Sequence, residues 1–478
     1  YTNQPMEQRT KQDSTIFDLV SQFESLSEIG NLDHLNEKTI YQLVFHYERE
    51  SMYEQALDIV EIALSRYEYR SEFYIIKARI LLELGILDLC VKSLDHAQSI
   101  APYETEVTLL RAKVLCQLGS CEDGLAILEP LKDVVSNDDL MKIFLTEAYI
   151  YDMMDDCTTV VEKLRIVLYN DPLQDEALSM LWNALDMFRA YDTSIQITEE
   201  LLDLNPYNYL AWYILGQSYA ANSEYEKAVA AMEYSFIINS GYETGYLECA
   251  DLCMNMCRYA EALSIFKEYV HQFGTNSDIL LLMAQCQVKL GDHTSAKLNL
   301  LKAVKREKSN DVIYFLLGEC YSKDGNWYKA IATYHKAIDI DDTIEDYYLA
   351  LAKAFVEVED YNKATINFQI ATDIDPCNNI IWSEYVTFLI KLGLYEESDR
   401  LLEEAFNCAF GGDMLYCHAI TSFFLRNKKK GLRLLEEALL EDFGNHKLIF
   451  KLAPELEVER DIVAMIRYFK GEATFQEV

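Results

Sequence analysis

The chain has 478 residues, half of them hydrophobic, and its 79 acidic and 42 basic residues give a formal net charge of −37. A polyanion gains nothing by displacing counterions from nucleic acid, and anionic membrane surfaces repel it, so neither is an expected partner. Proline (7) and glycine (17) are scarce, which favours a nearly all-helical chain. The negative charge suits the solubility of a long protein, or alternatively the binding of basic partners.

The N-terminal part is predicted to lead into a helical array. Residues 1 to about 12 are polar and are interpreted as a disordered lead-in. A capping residue, Asp13, then precedes apolar residues on helical spacing, among them Phe17 and Val20. We therefore expect residues 1–36 to contain a capping helix. Because the sequence begins with Tyr1 rather than Met, a leader or a further segment could precede it.

The middle of the chain repeats itself at a spacing of about 34 residues. A bulky residue, called here the ladder residue, recurs at Trp212, Tyr246, Leu280, Tyr314, Tyr348 and Trp382. The fourth residue after it is small, at Gly216, Ala250, Ala284, Gly318 and Ala352. Further along each unit comes an alanine, at Ala228, Ala262, Ala296, Ala330 and Ala364, with Ser398 as the exception. Two helices pack closely only where a side chain is small, so this pattern predicts stacked helical hairpins.

The same spacing extends in both directions. Earlier ladder residues are predicted at Ile40, Tyr74, Thr108, Phe144 and Leu178, with an insertion in the "VVSNDD" segment. Four prolines share one position between units, Pro102, Pro172, Pro206 and Pro376, where a helix can end at little cost. About twelve hairpins are expected over residues 37–440. Residues 441–478 are expected to form C-terminal capping helices.

Two segments carry a family resemblance. "WYILGQSYAANSEYEKAVAAM" from Trp212 and "YFLLGECYSKDGNWYKAIATYHKA" from Tyr314 resemble the tetratricopeptide repeat family, in which a bulky residue is followed by Leu-Gly, Tyr, Ala and Phe. The resemblance implies an all-α fold, an α-solenoid that forms a right-handed superhelix. Whole-chain periodicity of this kind is similar to that of bacterial, Bacteroidetes-type members with many repeats.

No catalytic, cofactor or metal site is predicted. The sequence contains no GxxxxGK[ST], GxGxxG, HExxH or GxSxG motif. Cys249, Cys253 and Cys257 have a spacing that metal ligands could use. In the repeat, however, the first two take packing positions and Cys257 takes the turn position. The twelve cysteines lack the paired spacing of a small secreted scaffold, and several, including Cys286 and Cys320, lie at helix-interior positions. Buried free cysteines of this kind indicate a reducing compartment, the cytoplasm. No apolar run is long enough to span a bilayer.

In this family the first helix of each unit lines the concave face and contacts an extended peptide. The resemblance therefore implies a groove formed by residues one and five positions after the ladder residues: Tyr149, Ser179, Asn183, Tyr213, Gln217, Leu247, Asp251, Leu281, Gln285, Phe315 and Glu319. Amide side chains there can both donate to and accept from an extended backbone. The lysine that family members use to hold a chaperone's C-terminal tail is replaced by Ser179, Tyr213 or Phe315, which argues against that partner.

We therefore predict a non-catalytic scaffold that binds a partner protein or an extended peptide, basic or neutral, in its concave groove. The alternative is a regulatory or targeting arm of an enzyme encoded upstream or on another chain. Self-association through the end helices is a further possibility. The basic "RNKKKGLR" segment from Arg426 is interpreted as a solvated turn of the last repeat, or as a docking patch for an acidic segment.

Overall fold

A computed structural model describes residues 36–471 of the chain. Its secondary structure in this range is entirely helical. The residues divide into two compact units, the first ending at Gly245 and the second beginning at Tyr246. The capping helix expected before residue 36 lies outside the described residues.

Within residues 36–471, twelve helical hairpins follow one another, as the periodicity predicts. Six belong to the first unit: α1 Glu37–Arg49 with α2 Tyr53–Arg66, α3 Ser71–Glu83 with α4 Leu87–Ile100, α5 Thr105–Gln117 with α6 Cys121–Leu128, α7 Asn137–Met153 with α8 Cys157–Asn170, α9 Asp175–Met187 with α10 Tyr191–Leu204, and α11 Tyr209–Ala221 with α12 Tyr225–Ile238.

The second unit contains the other six hairpins, apart from the first three residues of α13, and the C-terminal elements. The hairpins are α13 Glu243–Asn255 with α14 Tyr259–Phe273, α15 Ser277–Lys289 with α16 His293–Arg306, α17 Asp311–Lys323 with α18 Trp327–Ile340, α19 Glu345–Glu357 with α20 Tyr361–Ile374, α21 Asn379–Lys391 with α22 Tyr395–Ala405, and α23 Gly412–Phe424 with α24 Lys428–Glu441. Two short helices follow, α25 Leu448–Leu452 and α26 Arg460–Lys470.

The small residue of the first helix faces a large residue of the second helix in the same hairpin. In the second unit, a Cβ added to Gly318 would overlap the ring of Tyr334, which is almost completely buried. In the first unit, a Cβ on Gly216 would lie 2.5 Å from Cγ of Met232 and 3.1 Å from the carbonyl oxygen of Ala228. The prediction that a small side chain lets the two helices approach is therefore confirmed.

The two ladder tryptophans occupy equivalent environments in their separate units. Nε1 of Trp212 donates to the carbonyl oxygen of Pro206 at 2.8 Å, and Nε1 of Trp382 donates to that of Pro376, also at 2.8 Å. Each proline lies six residues before its tryptophan, in the loop between hairpins. The indole thus binds the loop before its hairpin in the same way in both repeats.

Ser398 interrupts the row of alanines without leaving its hydroxyl unsatisfied. Its Oγ lies 2.8 Å from Oγ1 of Thr421 on the next first helix, and both residues are fully buried. In the first unit the equivalent Ser194 forms the same kind of bond with Ser218, at 2.7 Å. A buried hydroxyl costs little free energy when it is hydrogen-bonded, so serine can replace alanine wherever the neighbouring helix provides a hydroxyl.

The turn inside each hairpin uses a left-handed residue, a conformation that glycine adopts most readily. Gly291, Gly325 and Gly393 have φ values of +80°, +71° and +73°. Non-glycine residues adopt the same conformation in other hairpins, including Cys257 with a φ of +59°. Aromatic residues start several second helices: α12, α14 and α18 begin at Tyr225, Tyr259 and Trp327.

The third hairpin departs from the pattern where the insertion is predicted. Helix α6 ends early, at Leu128, and a 3-10 turn over Glu129–Leu131 contains Pro130. The buried carboxylate of Glu147 compensates for this irregularity, because Lys132 after the turn and Lys163 on α8 lie 2.6 and 2.8 Å from it. Two cations thus offset the desolvation of one buried anion.

The C-terminal helices pack on the last hairpin. Ile462 and Ile466 of α26 are buried in the same apolar cluster as Leu435 of α24. The basic "RNKKKGLR" segment begins α24, and two of its three lysines are paired. Lys428 Nζ lies 2.5 Å from Asp461 Oδ2 on α26, and Lys430 Nζ lies 2.9 Å from Asp399 Oδ1. These pairs connect the segment to carboxylates of this chain.

Two of the twelve cysteines are paired with each other. Cys116 and Cys121 form a disulfide across the turn between α5 and α6, where their Cα atoms are 3.9 Å apart. The left-handed Gly119 lies in the same turn. The other ten are free, and Cys249 and Cys253 are buried as packing residues.

The close contact between Gly318 and Tyr334 predicts that Gly318→Ala destabilises the protein, although alanine usually stabilises a helix relative to glycine. Gly318→Ala should lower the free energy of unfolding by about 1 kcal/mol or more, because overpacking outweighs the gain in helix propensity. When Tyr334→Leu is also present, the pair matches Ala284 and Leu300 of another hairpin. In that background Gly318→Ala should instead stabilise the protein by about 1 kcal/mol. Chemical denaturation followed by circular dichroism measures both steps. Stabilisation by Gly318→Ala in both backgrounds would contradict the contact.

The burial of the cysteines predicts how their thiols react. Burial raises the pKa of Cys90, Cys286 and Cys320 to about 11, so few thiolates form at neutral pH. Cys257, Cys377 and Cys408 are exposed. Alkylation of the native protein at about pH 8, followed by peptide mass spectrometry, should modify these three at least about tenfold faster than the buried three. Equal rates for the two groups would show that the hairpins do not bury these side chains.

Candidate functional site

The first helices of successive hairpins lie side by side in each unit. In the first unit α5 contacts α7, α7 contacts α9 and α9 contacts α11; in the second unit α15 contacts α17, and α17 contacts α19. In each unit, some side chains of the first helices point away from the second helices. These side chains form one surface, called here the first-helix face. The groove residues predicted from the sequence are positions on these helices.

A cavity of about 550 Å³ opens on the first-helix face of the second unit. It brings together two predicted groove residues, Phe315 and Glu319, with Leu349 and Lys353 at the equivalent positions of the next hairpin. The full lining is contributed by five helices, α17 to α21: Phe315, Glu319, Ser322, Lys323, Trp327, Tyr334, Asp346, Leu349, Ala350, Lys353, Ala354, Val356, Glu357, Phe368, Glu384, Thr387, Phe388 and Lys391.

Aromatic side chains hold the inner wall of this cavity in place. The ring centroid of Phe315 lies 4.8 Å from that of Tyr347 and 5.9 Å from that of Tyr334. The hydroxyl of Tyr334 donates to Oε1 of Glu319 at 2.7 Å. Burial, together with the adjacent Glu319, raises the pKa of Tyr334 far above its ordinary value. The hydroxyl therefore stays protonated and keeps the Glu319 carboxylate oriented at the edge of the cavity.

The rim of the cavity carries charges of both signs. Its lining includes four carboxylates and three lysines, so the site is close to neutral although the chain as a whole is strongly acidic. Lys353 Nζ on α19 lies 2.9 Å from Glu384 Oε1 on α21. Both side chains are more than two-fifths exposed, so the pair contributes at most about 1 kcal/mol and can open for a ligand. An apolar wall under a mixed rim fits an apolar side chain flanked by polar groups.

The other predicted groove residues of the second unit lie on earlier first helices. Leu247, Leu281 and Gln285 are half-buried, and Leu281 packs against the apolar cluster around Leu280. Asp251 is exposed, and its Oδ2 accepts a hydrogen bond from Nδ2 of Asn255 at 3.1 Å. The spacing therefore identified accessible positions, but these four residues are not part of the cavity described above.

A smaller cavity, of about 350 Å³, lies on the first-helix face of the first unit. Leu109, Lys113 and Leu145 line it at positions equivalent to the predicted groove residues. The predicted residue Tyr149 lies next to it on α7. Its hydroxyl accepts a hydrogen bond from Nε2 of Gln117 at 2.9 Å, and the ammonium of Lys113 lies 5.2 Å from the centre of its ring. These contacts hold Tyr149 against the neighbouring first helix.

The remaining predicted residues of the first unit differ in exposure. Ser179 and Asn183 on α9 are exposed. Tyr213 and Gln217 on α11 are half-buried, and Nε2 of Gln217 donates to the hydroxyl of Tyr213 at 2.7 Å. The ring of Tyr213 meets that of Tyr242 edge-on, with centroids 5.2 Å apart. Asn183 is thus available to a peptide backbone, whereas Gln217 already has an internal partner.

The first unit also has an apolar cavity of about 840 Å³ beside its first two hairpins. Tyr41, Phe45 and Ile76 form its apolar wall, and Phe45 is 55% exposed. Arg79 closes one side, where Nε and Nη2 donate to the two carboxylate oxygens of Glu48 at 3.0 and 3.2 Å. The sequence-based prediction included no residue from these hairpins, because their repeats match the family pattern only loosely.

Two kinds of lining residue were missed by the sequence reasoning. Trp327, Tyr334 and Phe368 come from second helices and reach the cavity of the second unit from behind. Lys323, Glu357 and Lys391 lie at the C-terminal ends of first helices, one repeat apart. Their regular spacing was the available signal, since a charged residue recurs at the same position in successive hairpins.

Two absences are recorded for residues 36–471. No group of three or more His, Cys, Asp or Glu side chains in this range is arranged to hold a metal ion. Over the same range, no helix combines the length and the apolar character that crossing a lipid bilayer requires.

Three segments match family models described as tetratricopeptide repeat, namely residues 188–236, 256–298 and 312–343. No curated protein sequence matches the chain.

Similar solved structures include three repeat proteins. One is YrrB, described as a TPR protein with an unusual peptide-binding site: 19% identity over 38% of this chain and 94% of that chain, TM-score 0.34. Another is MamA from Desulfovibrio magneticus RS-1, with 18% identity over 34% of this chain and 93% of that chain, TM-score 0.33. The third is the APC/C hetero-tetramer Cut9–Hcn1, with 13% identity over 89% of this chain and 95% of that chain, TM-score 0.35.

The matched segments fall on hairpins of both units. The twelve described hairpins share the left-handed turn residue, and eight of them have a glycine or alanine four positions after the ladder residue. The chain therefore contains tetratricopeptide repeats in both units.

Proposed function

We propose that this protein is a non-catalytic scaffold that binds an extended segment of a partner protein on its first-helix face. The cavity lined by Phe315, Glu319, Leu349 and Lys353 is the observation that carries the proposal. It is large enough for one or two apolar side chains, and donors and acceptors on its rim can bind the adjacent backbone. The stacked hairpins support this role, because within each unit every hairpin adds its first helix to the same face.

The partner that fits best is a neutral or moderately basic segment with a bulky apolar residue. The four carboxylates and three lysines on the lining balance each other, so neither a strongly anionic nor a strongly cationic residue is favoured inside the cavity. A free C-terminal carboxylate would meet Glu319, Asp346 and Glu384 there, which supports the expectation that a chaperone tail is not the ligand.

In the first unit, we propose that Tyr149, Ser179, Asn183, Tyr213 and Gln217 form a binding surface of that unit's own first-helix face. In the second unit, Leu247, Asp251, Leu281 and Gln285 are proposed to extend the surface around the cavity. Asn183 is the strongest of these candidates, because its exposed amide can bind both backbone groups of a peptide. A cytoplasmic location belongs to the same proposal, since ten cysteines are free. Cell fractionation tests that location.

Filling the cavity should abolish capture of the partner. Ala350 is half-buried on the lining, and Ala350→Arg would place a long charged side chain in the space that a ligand residue needs. Arginine is a good helix former, so α19 should keep its structure. We expect affinity capture from native lysate, read by mass spectrometry, to lose the partner by about tenfold or more with this variant.

The matched control is Ala332→Arg, which places the same side chain at an exposed position on α18. It should retain the partners that the unmodified protein captures. The proposal fails if Ala350→Arg captures every partner as well as the control does, or if the unmodified protein captures none.

A further inference from the structure

The turns of three successive hairpins in the first unit expose large apolar side chains. These are Leu118 between α5 and α6, Met153 and Met154 between α7 and α8, and Met187 and Phe188 between α9 and α10. They are exposed by 55, 52, 42, 67 and 46%, respectively. We call these five residues the turn ridge. Because α5, α7 and α9 lie side by side and end at these residues, the turn ridge follows one edge of the unit.

Folding of the turn does not require apolar residues at these positions. Leu118, Met154 and Phe188 each occupy the position directly after the first helix. In other hairpins Glu50, Asn222 and Asp324 fill the same position with the same turn. Since polar side chains are tolerated there, four neighbouring Met and Phe residues exposed to water need another explanation. Contiguous exposed apolar residues on a soluble protein mark an interaction site.

The charges beside the turn ridge are almost all negative. Residues 117–123, 151–157 and 185–192 contain one cation, Arg189, and seven carboxylates: Glu122, Asp123, Asp152, Asp155, Asp156, Asp186 and Asp192. An apolar strip with acidic borders complements a partner that is apolar on one side and cationic on the flanks. The same charges oppose an anionic membrane surface and nucleic acid, which leaves a protein as the ligand.

The spacing of the turns favours a helix over an extended segment. Packed helices lie about 8–10 Å apart, and two turns of an α-helix advance about 10.5 Å. A partner helix lying along the edge would therefore present one apolar residue to each hairpin for every seven residues of its sequence. Methionine side chains are flexible and polarizable, so they adapt to the shape of such a partner.

We propose that the turn ridge is a second docking site, which binds an amphipathic cationic helix of a partner protein. The apolar residues of that helix at i, i+7 and i+14 pack on Leu118, Met154 and Phe188, and those between them at i+3 or i+4 continue the same apolar face. Its Lys and Arg residues, on both flanks, lie beside the carboxylates of the three turns. The site is separate from the cavity around Phe315, so one partner could occupy each.

The direct test is binding of a synthetic peptide to the full chain, measured by fluorescence anisotropy at physiological salt. The probe is a peptide of about 18 residues with leucine at i, i+3, i+7, i+10 and i+14 and mainly lysine elsewhere, which is long enough to cross three hairpins. A peptide with the same composition in scrambled order has the same charge but no apolar face. We expect the ordered peptide to bind at least about tenfold more tightly than the scrambled one.

Two sets of substitutions locate the binding. Met154→Gln, Met187→Gln and Phe188→Gln together should weaken binding of the ordered peptide about tenfold or more. As the control, Tyr69→Gln, Tyr103→Gln and Tyr207→Gln change exposed residues in the loops between hairpins of the same unit. They should leave binding within about twofold. Since all six residues are exposed, circular dichroism should show that both variants fold.

Three outcomes would overturn the proposal. The first is no binding of the ordered peptide. The second is equal binding of ordered and scrambled peptides, which would mean that charge alone attracts them. The third is binding that survives the three ridge substitutions, or that is lost with Ala350→Arg instead, which would assign the peptide to another surface.

Discussion

The structure depends on a close contact between the two helices of a hairpin. In eight of the twelve described hairpins the first helix has a glycine or alanine at the contact, and a Met, Leu, Phe or Tyr of the second helix lies twenty residues after the ladder residue. Tyr334 packs over Gly318 in this way, and a Cβ on Gly318 would overlap its ring. The hairpins repeat this packing, and each one is stabilised by contacts with its neighbours.

Stacking equal hairpins produces surfaces that no single hairpin has. In each unit, the first helices form a face on which the residues one and five positions after the ladder residues recur. The cavity lined by α17 to α21 opens on this face in the second unit. The turns form a second surface along the edge. Folding restricts which residues can occupy the contact between the two helices of a hairpin. It restricts the residues of the first-helix face and of the turns much less. Those positions are therefore free to vary with function, as the differences between Asn183 and Lys353 or between Asp324 and Phe188 illustrate.

Much of the fold could be predicted from the sequence, because the repeat presents the same evidence many times. The count of twelve hairpins, the left-handed turns and the packing roles of Cys249 and Cys253 all follow from the spacing. The Cys116–Cys121 disulfide could not be predicted, since it depends on how tightly one turn closes. The serine that replaces alanine at position 398 could not be explained from the sequence either. Its hydroxyl is hydrogen-bonded to that of Thr421, and only the three-dimensional structure identifies this partner.

The candidate site was less predictable than the fold. Positions on the first helices followed from the repeat, and Phe315 and Glu319 do line a cavity. Its shape, however, depends on side chains such as Trp327 and Phe368, which reach it from second helices. Sequence spacing describes one helix face at a time, so it cannot show which residues of two helices meet. For the same reason it did not separate Gln217, bonded to Tyr213, from Asn183, which is exposed.

The central claim, that a partner occupies the first-helix face, is tested most directly by hydroxyl-radical footprinting of the protein with a captured partner bound. Phe315 and Trp327 line the cavity, whereas Tyr328, the neighbour of Trp327, is 78% exposed on α18. The account predicts that the partner protects Phe315 and Trp327 from oxidation and leaves Tyr328 unchanged. Protection of Tyr328 with no change at Phe315 and Trp327 would contradict it.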